Sequence, residues 1–385
     1  MAYGIFLRIF INLIFEDFCY IIYINIGEIM GYKVKELNFH ITEFCSGHCP
    51  MCYATDENMN RKHGNIDILK KIIHNGIACG KVDRFVMVGG DPCEHPNLVE
   101  LLKYIKEESD KHNTNTKATI ISNTHDYKEN GKKADIKDIV GYIDGMCVTI
   151  HGVNEEEHDR FNGCAGSYEH VLKNVREYIK IKNDSQKICI ILNLMPQTVK
   201  NLKEIMLNTN KQLLGKVDGF AIQRIAPIGR ACGDTKYFIE PEDINSVMSV
   251  CKEMNEKFGF FIEFVDSFPL CRVNQKYWNL LPKGGCNWGT DFCAVFSDGS
   301  ISRCAMSENK LSANILDLDT QKKFYNFWDN DKELKLFRKK AHLAEKCINC
   351  ALLKECGGGC VLARKSGDPY KQENPEKGYD YLSKN

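Results

Sequence analysis

The sequence predicts an α/β protein in which a mostly parallel sheet is wrapped by helices, followed by a smaller cysteine-rich domain. Three observations predict it. Short apolar strand patterns alternate with helical ones from Leu37 to about Gln223, most strand ends run into glycine-, asparagine- or cysteine-bearing turns, and cysteines cluster again beyond about Lys283. Regular alternation implies parallel strands joined by helical crossovers, because a parallel pair cannot be closed by a tight hairpin. Function then belongs at the carboxyl ends of the strands.

The elements follow in order. Leu37, Phe39 and Ile41 alternate as in a strand and run into Cys45, and residues 66–74 read as a helix. Residues 85–88 form the next strand, ending in Gly89-Gly90-Asp91-Pro92, with a helix over 98–106. Residues 119–121, 147–150, 188–194 and 220–223 are further strands, with a helix over 168–181. A helix near 243–258 and a strand near 260–265 come next, and Ser297-Asp298-Gly299 reads as a hairpin turn, glycine relieving the positive-φ demand. The expected organisation is an extension over 1–34, an α/β domain over 35–235, a connecting helix and strand over 236–282, and a second domain over 283–385.

At 385 residues the chain can hold one large domain and a smaller one, and 43% hydrophobic residues, 26% charged residues and zero formal net charge describe an ordinary globular protein. A neutral surface gives no reason to expect nucleic acid. The first 30 residues are rich in Ile, Phe and Tyr, but Arg8, Asn12, Glu16 and Asp17 interrupt each apolar run below membrane-spanning length. No small-residue cleavage site follows. Translation starting at Met30 is the preferred reading; a weak membrane- or partner-binding tail is the other.

The 19 cysteines stand in a large lysine-rich chain with no credible secretory signal, which favours reduced thiols, a cytoplasmic setting and metal ligation over disulfides. Cys45-x3-Cys49-x2-Cys52 places three thiolates on one short loop. They can bind three irons of a cubane and leave the fourth open, whereas electron-transfer cubanes take four cysteines. Three quarters of a zinc site is the alternative. Ser122-Asn123 and Thr149-Ile150-His151-Gly152 end further strands, and Pro227-Ile228-Gly229-Arg230-Ala231 ends the strand region. Ser167 is an N-cap candidate for its helix. A second constellation, Cys347-x2-Cys350-x5-Cys356-x3-Cys360, lies downstream of Cys286-x12-Gly299-x4-Cys304. Cys79, Cys147, Cys189, Cys232 and Cys251 read mostly as small core residues, while Cys93 and Cys164 sit close enough to the loops to face a site.

The Cys45 loop resembles that of the radical S-adenosylmethionine superfamily, and the second constellation matches the core of its SPASM domain. The resemblance covers roughly residues 35–370. It implies a partial (β/α)6 TIM-type barrel followed by a SPASM domain, with Cys45, Cys49 and Cys52 as cluster ligands. S-adenosylmethionine would bind the open iron, held by Gly89, Gly90, Asp91 and Pro92, with Ser122 and Asn123 at its ribose or carboxylate. Departures from the family pattern are Met51, where an aromatic residue is usual, with Tyr53 one place later, and Asp91 in place of glutamate. By the same resemblance, Cys286, Cys304 and Cys360, completed by Cys293, hold a first auxiliary [4Fe–4S] cluster. Cys347, Cys350 and Cys356 hold a second, whose fourth ligand is left open, with Asp368, Asp380, water or substrate as candidates.

The expected chemistry is reductive cleavage of S-adenosylmethionine to a 5′-deoxyadenosyl radical that abstracts hydrogen from an unactivated carbon. The expected substrate is a ribosomally made precursor peptide, given a thioether or carbon–carbon crosslink, oxidised or epimerised. A low-potential flavodoxin or ferredoxin would donate the electron. Some 36 residues precede the first strand, too few for a leader-binding domain, so a separate leader-binding protein is expected. A sulfatase-maturing enzyme is disfavoured because Ala305, not a carboxylate, follows Cys304. A tetrapyrrole side-chain enzyme shares the Cys356-Gly-Gly-Gly-Cys360 run. An electron carrier would have no use for an open iron.

Overall fold

A computed structural model describes residues 32–54, 62–124, 135–240, 243–307, 309–343 and 345–364. The N-terminal extension with Met30, and the candidate ligands Asp368 and Asp380, lie outside the described residues.

Nine strands form one sheet: β1 (Glu36–Thr42), β2 (Arg84–Gly89), β3 (Lys117–Ser122), β4 (Gly145–Thr149), β5 (Lys187–Leu194), β6 (Gly219–Arg224), β7 (Phe261–Phe264), β8 (Phe292–Phe296) and β9 (Ile301–Ser302). Their spatial order is β7-β6-β5-β4-β3-β2-β1-β8-β9. Every pair is parallel except β8 with β9. The main helices are α1 (Ile66–His74), α2 (Leu98–Lys111), α3 (Glu155–Asn162), α4 (Ser167–Ile181), α5 (Pro196–Gln212), α6 (Asp243–Phe258), α7 (Gln321–Asn330) and α8 (Lys332–Arg338).

Both faces of the sheet are buried, which is why its strands read as nearly continuous apolar runs. The two-residue period sorts side chains between two layers. Leu37, Phe39, Phe85, Met87, Ile120, Met146, Ile190, Phe220 and Ile222 meet the helices, while Val86, Val88, Cys147, Cys189, Ile191, Ala221 and Ala294 fill the inner face. Helix α2 offers Leu98, Leu101, Leu102 and Ile105, one stripe at i, i+3, i+4 and i+7, to the outer layer. Each such side chain contributes about 1.5–3 kcal/mol when fully buried, so this outer layer is what commits the chain to its register.

The sheet continues beyond the six expected barrel strands. β8, placed by the sequence in the separate C-terminal domain, pairs with β1 from Glu36↔Phe292 to His40↔Phe296. Its alternation of Cys293 and Val295 with Phe292 and Ala294 suits a sheet buried on both faces. The expected hairpin forms, Val295 opposite Ile301 with Gly299 at φ 82°. Ser167 is not the cap of its helix. Gly166, at φ 75°, holds that position, and Asp159 accepts from the Gly166 and Tyr168 N–H groups. No helix of the described residues is long and apolar enough to cross a membrane.

Candidate functional site

The strands' carboxyl ends surround a cavity of about 1080 Å³ including its open mouth. β1 delivers Cys45, Cys49 and Cys52 to its wall, β2 delivers Gly89 and Gly90, β3 Ser122 and Asn123, and β4 Thr149 and His151; Asn193, Gln223, Arg224 and Arg230 complete the polar lining. Met51 and Tyr53 both face it.

The cysteine loop is held by groups from other strand ends. Ser46 donates through both its backbone N–H (2.9 Å) and its hydroxyl (2.7 Å) to Glu94 Oε1, and Glu94 is buried. Cys49 Sγ lies 3.3 Å from Asn162 Oδ1, and His48 N–H donates to the Asn162 carbonyl. Arg230 N–H donates to the Cys52 carbonyl at 2.9 Å, and its guanidinium to the Cys49 carbonyl at 3.3 Å. The Pro227–Ala231 segment is therefore a brace for this loop. Two glycines permit the approach: a Cβ on Gly90 would lie 2.0 Å from the Phe44 carbonyl oxygen, and one on Gly229, at φ 59°, 2.2 Å from Tyr53 carbonyl atoms. Glu94, Asn162 and Arg230 were not among the expected ligands; Glu94, two residues beyond Pro92, was visible only as a carboxylate near the loop.

Asp91 differs from expectation. It is fully buried and absent from the cavity lining. Its Oδ1 accepts from the Ser122 hydroxyl (2.5 Å) and Cys93 N–H (3.0 Å), its Oδ2 from Asn123 N–H (2.9 Å). One methylene shorter than glutamate, this carboxylate turns inward and fixes the β3 end, so Ser122 and Asn123, not Asp91, face the cavity. Pro92 is likewise buried behind the wall.

Burial pushes the Cys45 thiol well above its usual range, with Asp91, Cys49, Glu94 and Cys52 adding repulsion. Burial and Cys52 push Cys49 up to about 12, opposed by Arg230. Thiols raised in this way become thiolates only where a cationic centre takes the place of their protons, so loading one releases those protons. The donor set fits a cubane rather than a single ion. A single zinc holds its sulfurs roughly 3.8 Å apart. Among the described residues, the group whose donor atoms converge within 4.8 Å is His74, Glu108 and His112, not any cysteine set.

A second cavity, about 710 Å³ with its opening, is lined by Cys286, Cys304 and Cys360 together with Glu263, Asp266 and Arg303. The sequence gathers these cysteines from three separate segments. Burial raises Cys360 to about 12, countered by Arg224, and raises Cys286, countered by Arg303. Cys293 does not join them: it occupies the opposite face of β8, in the layer against the helices, because strand neighbours of Phe292 and Ala294 must point away. Cys347, Cys350 and Cys356 lie around two four-residue helices, Glu345–Ile348 and Leu353–Cys356. Cys356 Sγ accepts from Leu270 N–H at 3.4 Å, and Gly284 N–H donates to the Glu355 carbonyl at 2.7 Å, which docks this segment beside Cys286. Cys93 is buried in the outer layer and Cys164 is half-buried near Cys49; neither lines the first cavity.

The two cavities stand back to back. Arg224 lines the first and Asp266 the second, and the Arg224 N–H donates to Asp266 Oδ2. Cys304 lines the second, Met306 the first.

Residues 39–207 match the radical SAM superfamily. An AdoMet-dependent heme synthase of Methanosarcina barkeri is 24% identical over 88% of this chain and 94% of its own length. The subtilosin biosynthesis protein AlbA of Bacillus subtilis is 23% identical over 87% of this chain and 69% of its own. Among solved structures, SuiB of Streptococcus suis bound to S-adenosylmethionine superposes with a TM-score of 0.65 at 17% identity, covering 91% of this chain and 79% of SuiB.

Proposed function

Because this chain is a radical SAM superfamily enzyme with a SPASM-type cysteine-rich segment, we propose that it modifies a ribosomally made peptide by thioether or carbon–carbon crosslinking, oxidation or epimerisation. The observation that carries this reading is the pair of cavities sharing the Arg224–Asp266 wall: substrate bound beside the Cys45 loop would lie across that wall from Cys286, Cys304 and Cys360. Crosslinking removes two hydrogens from the substrate, and a neighbouring redox centre suits an oxidation of that kind. AlbA's printed role in bacteriocin biosynthesis, and the SuiB structure bound to its precursor peptide SuiA, support the same substrate class.

Cys45, Cys49 and Cys52 would hold a [4Fe–4S] cluster, which with S-adenosylmethionine would supply the one-electron reductive cleavage of the sulfonium that gives a 5′-deoxyadenosyl radical. The chain's own task is placement. Glu94, Asn162 and Arg230 fix the cysteine loop, Asp91 fixes Ser122 and Asn123, and the close-packed backbone at Gly89 and Gly90 forms the part of the wall that would meet the amino group of S-adenosylmethionine. The apolar inner wall of Val88, Ile121 and Ile191 excludes water and other hydrogen donors from the reacting carbon. Cys286, Cys304 and Cys360 would hold a first auxiliary cluster, and Cys347, Cys350 and Cys356 a second.

A second reading, alteration of tetrapyrrole side chains, is favoured by one observation: the heme synthase aligns over 94% of its length, AlbA over 69%. The two readings separate in one experiment. The anaerobically reconstituted enzyme, with dithionite and S-adenosylmethionine in deuterated buffer, is given either a candidate ribosomal precursor peptide or a carboxylated iron tetrapyrrole, and products are read by mass spectrometry. A peptide lighter by two hydrogens, or one carrying solvent deuterium at an α-carbon, supports the first reading. An unchanged peptide with an altered tetrapyrrole establishes the second.

A further inference from the structure

Far from both cavities, the outer face where α1 packs on α2 carries a cluster that neither reading uses. His74 ends α1, while Glu108 and the C-cap His112 sit one turn apart on α2 and share a face. His74 Nδ1 lies 2.6 Å from Glu108 Oε2, and His112 Nε2 lies 3.3 Å from that same oxygen. Lys111 Nζ takes the other oxygen, Oε1, at 3.0 Å. The Glu108 side chain is only 5% exposed although the helix surface around it is open. Burial would raise its carboxyl, but His74 and Lys111 together hold it below the usual range, so it is an anion. His112 Nε2 is buried and makes no hydrogen bond, its approach to the carboxylate being within ion-pair distance but misaligned.

We propose that His74, Glu108 and His112 form a site for a borderline divalent cation, zinc being the representative, that clamps α1 to α2. Two imidazole nitrogens and one carboxylate oxygen are a donor set for such ions, whereas calcium and magnesium demand oxygen. The three donor atoms already lie within 4.8 Å of one another. A tetrahedral ion with bonds of about 2.0–2.1 Å separates its donors by roughly 3.3 Å, which the His112–Glu108 contact meets as it stands. His74 needs to retreat by roughly 0.7 Å, a small side-chain rotation for a residue 39% exposed. The solvent side of His74 leaves a fourth position for water. Ion pairing gives His74 and Lys111 aligned hydrogen bonds but leaves the buried His112 nitrogen without one; a cation uses His74, Glu108 and His112 together.

The test takes the cluster-loaded enzyme, freed of loose divalent ions by gel filtration, titrates it anaerobically with zinc chloride, and reads zinc-edge X-ray absorption and the unfolding midpoint. The expected result is one zinc per chain in a nitrogen and oxygen shell at about 2.0–2.1 Å, with a zinc-dependent rise in the midpoint. His112→Gln weakens zinc binding by about a hundredfold or more while leaving the zinc-free midpoint and S-adenosylmethionine cleavage unchanged; His74→Gln weakens zinc binding likewise and leaves S-adenosylmethionine cleavage unchanged, but lowers the zinc-free midpoint because it also removes a partner of the buried Glu108 carboxylate. A shell of sulfur at about 2.3 Å, no binding at millimolar zinc, or equal affinity in the wild type and both variants overturns the proposal.

Discussion

The barrel mouth and the C-terminal cavity are each lined by three cysteines, but they assemble them by opposite routes. At the mouth, Cys45, Cys49 and Cys52 come from eight consecutive residues and need other elements only to hold them still: Glu94 from the turn after β2, Asn162 from the end of α3 and Arg230 from the turn after β6. In the C-terminal cavity, Cys286, Cys304 and Cys360 have no local reason to meet. Their convergence depends on β8 joining β1, on the β8–β9 hairpin, and on the 353–357 turn docking at Gly284. A contiguous loop can be placed by a few hydrogen bonds, while a dispersed set requires the whole fold. The first region should therefore fail by loss of individual positioning contacts, the second by loss of a ligand or of tertiary structure.

The largest contrast comes from removing a ligand of the dispersed set. Cys304→Ala should reduce modified product to background while 5′-deoxyadenosine formation in the absence of product stays within about twofold of wild type, measured by chromatography of the same reactions. Equal loss of both would show that the two cavities do not act separately. A smaller effect is expected from loosening the mouth. Glu94→Gln keeps the shape but removes the anion that accepts from Ser46 twice, and should lower the S-adenosylmethionine cleavage rate by roughly 10–100-fold without changing product per cleavage event. An unchanged rate would mean that the loop is fixed without it.

A third effect concerns neither cavity but the sheet beneath both, and it acts on stability rather than on turnover. Glu36 begins β1 opposite Arg84; burial, partly offset by Arg84 and Asn38, pushes its carboxyl from 4.5 up to about 8. Its folded-state value lies above its unfolded one, so the stability it contributes is complete below about pH 4.5 and is lost as pH rises through about 8. Relative to Glu36→Gln, the wild type should lose at most about 1.4 kcal/mol per pH unit across that window, read from denaturant midpoints. Parallel curves for the two proteins would place the carboxyl in a wetter site.

What was legible in the sequence follows the same division. Strand and helix positions were readable because both sheet faces are apolar, and α1 and α6 fall where periodicity puts them. The Cys45 loop was readable because spacing along one loop is a local property. Asp91 was not: only the folded chain shows its carboxylate turned toward Ser122 and Asn123. Cys293, which the family resemblance puts in the first auxiliary cluster, is kept from it by strand alternation, and Asn162 and Glu94 sit in stretches whose sequence alone gives no reason to connect them with Cys49 or Ser46.

The central claim is that the barrel mouth cleaves S-adenosylmethionine through Cys45, Cys49 and Cys52. The most direct measurement is 5′-deoxyadenosine released by the anaerobically reconstituted, dithionite-reduced protein, against the Cys45→Ala, Cys49→Ala, Cys52→Ala triple variant with iron and sulfide content determined for both. The account predicts multiple turnovers from the wild type and none from the variant, which should still retain the iron of the C-terminal region. Equal release from both proteins, or none from a wild type of full iron content supplied with substrate, would contradict it.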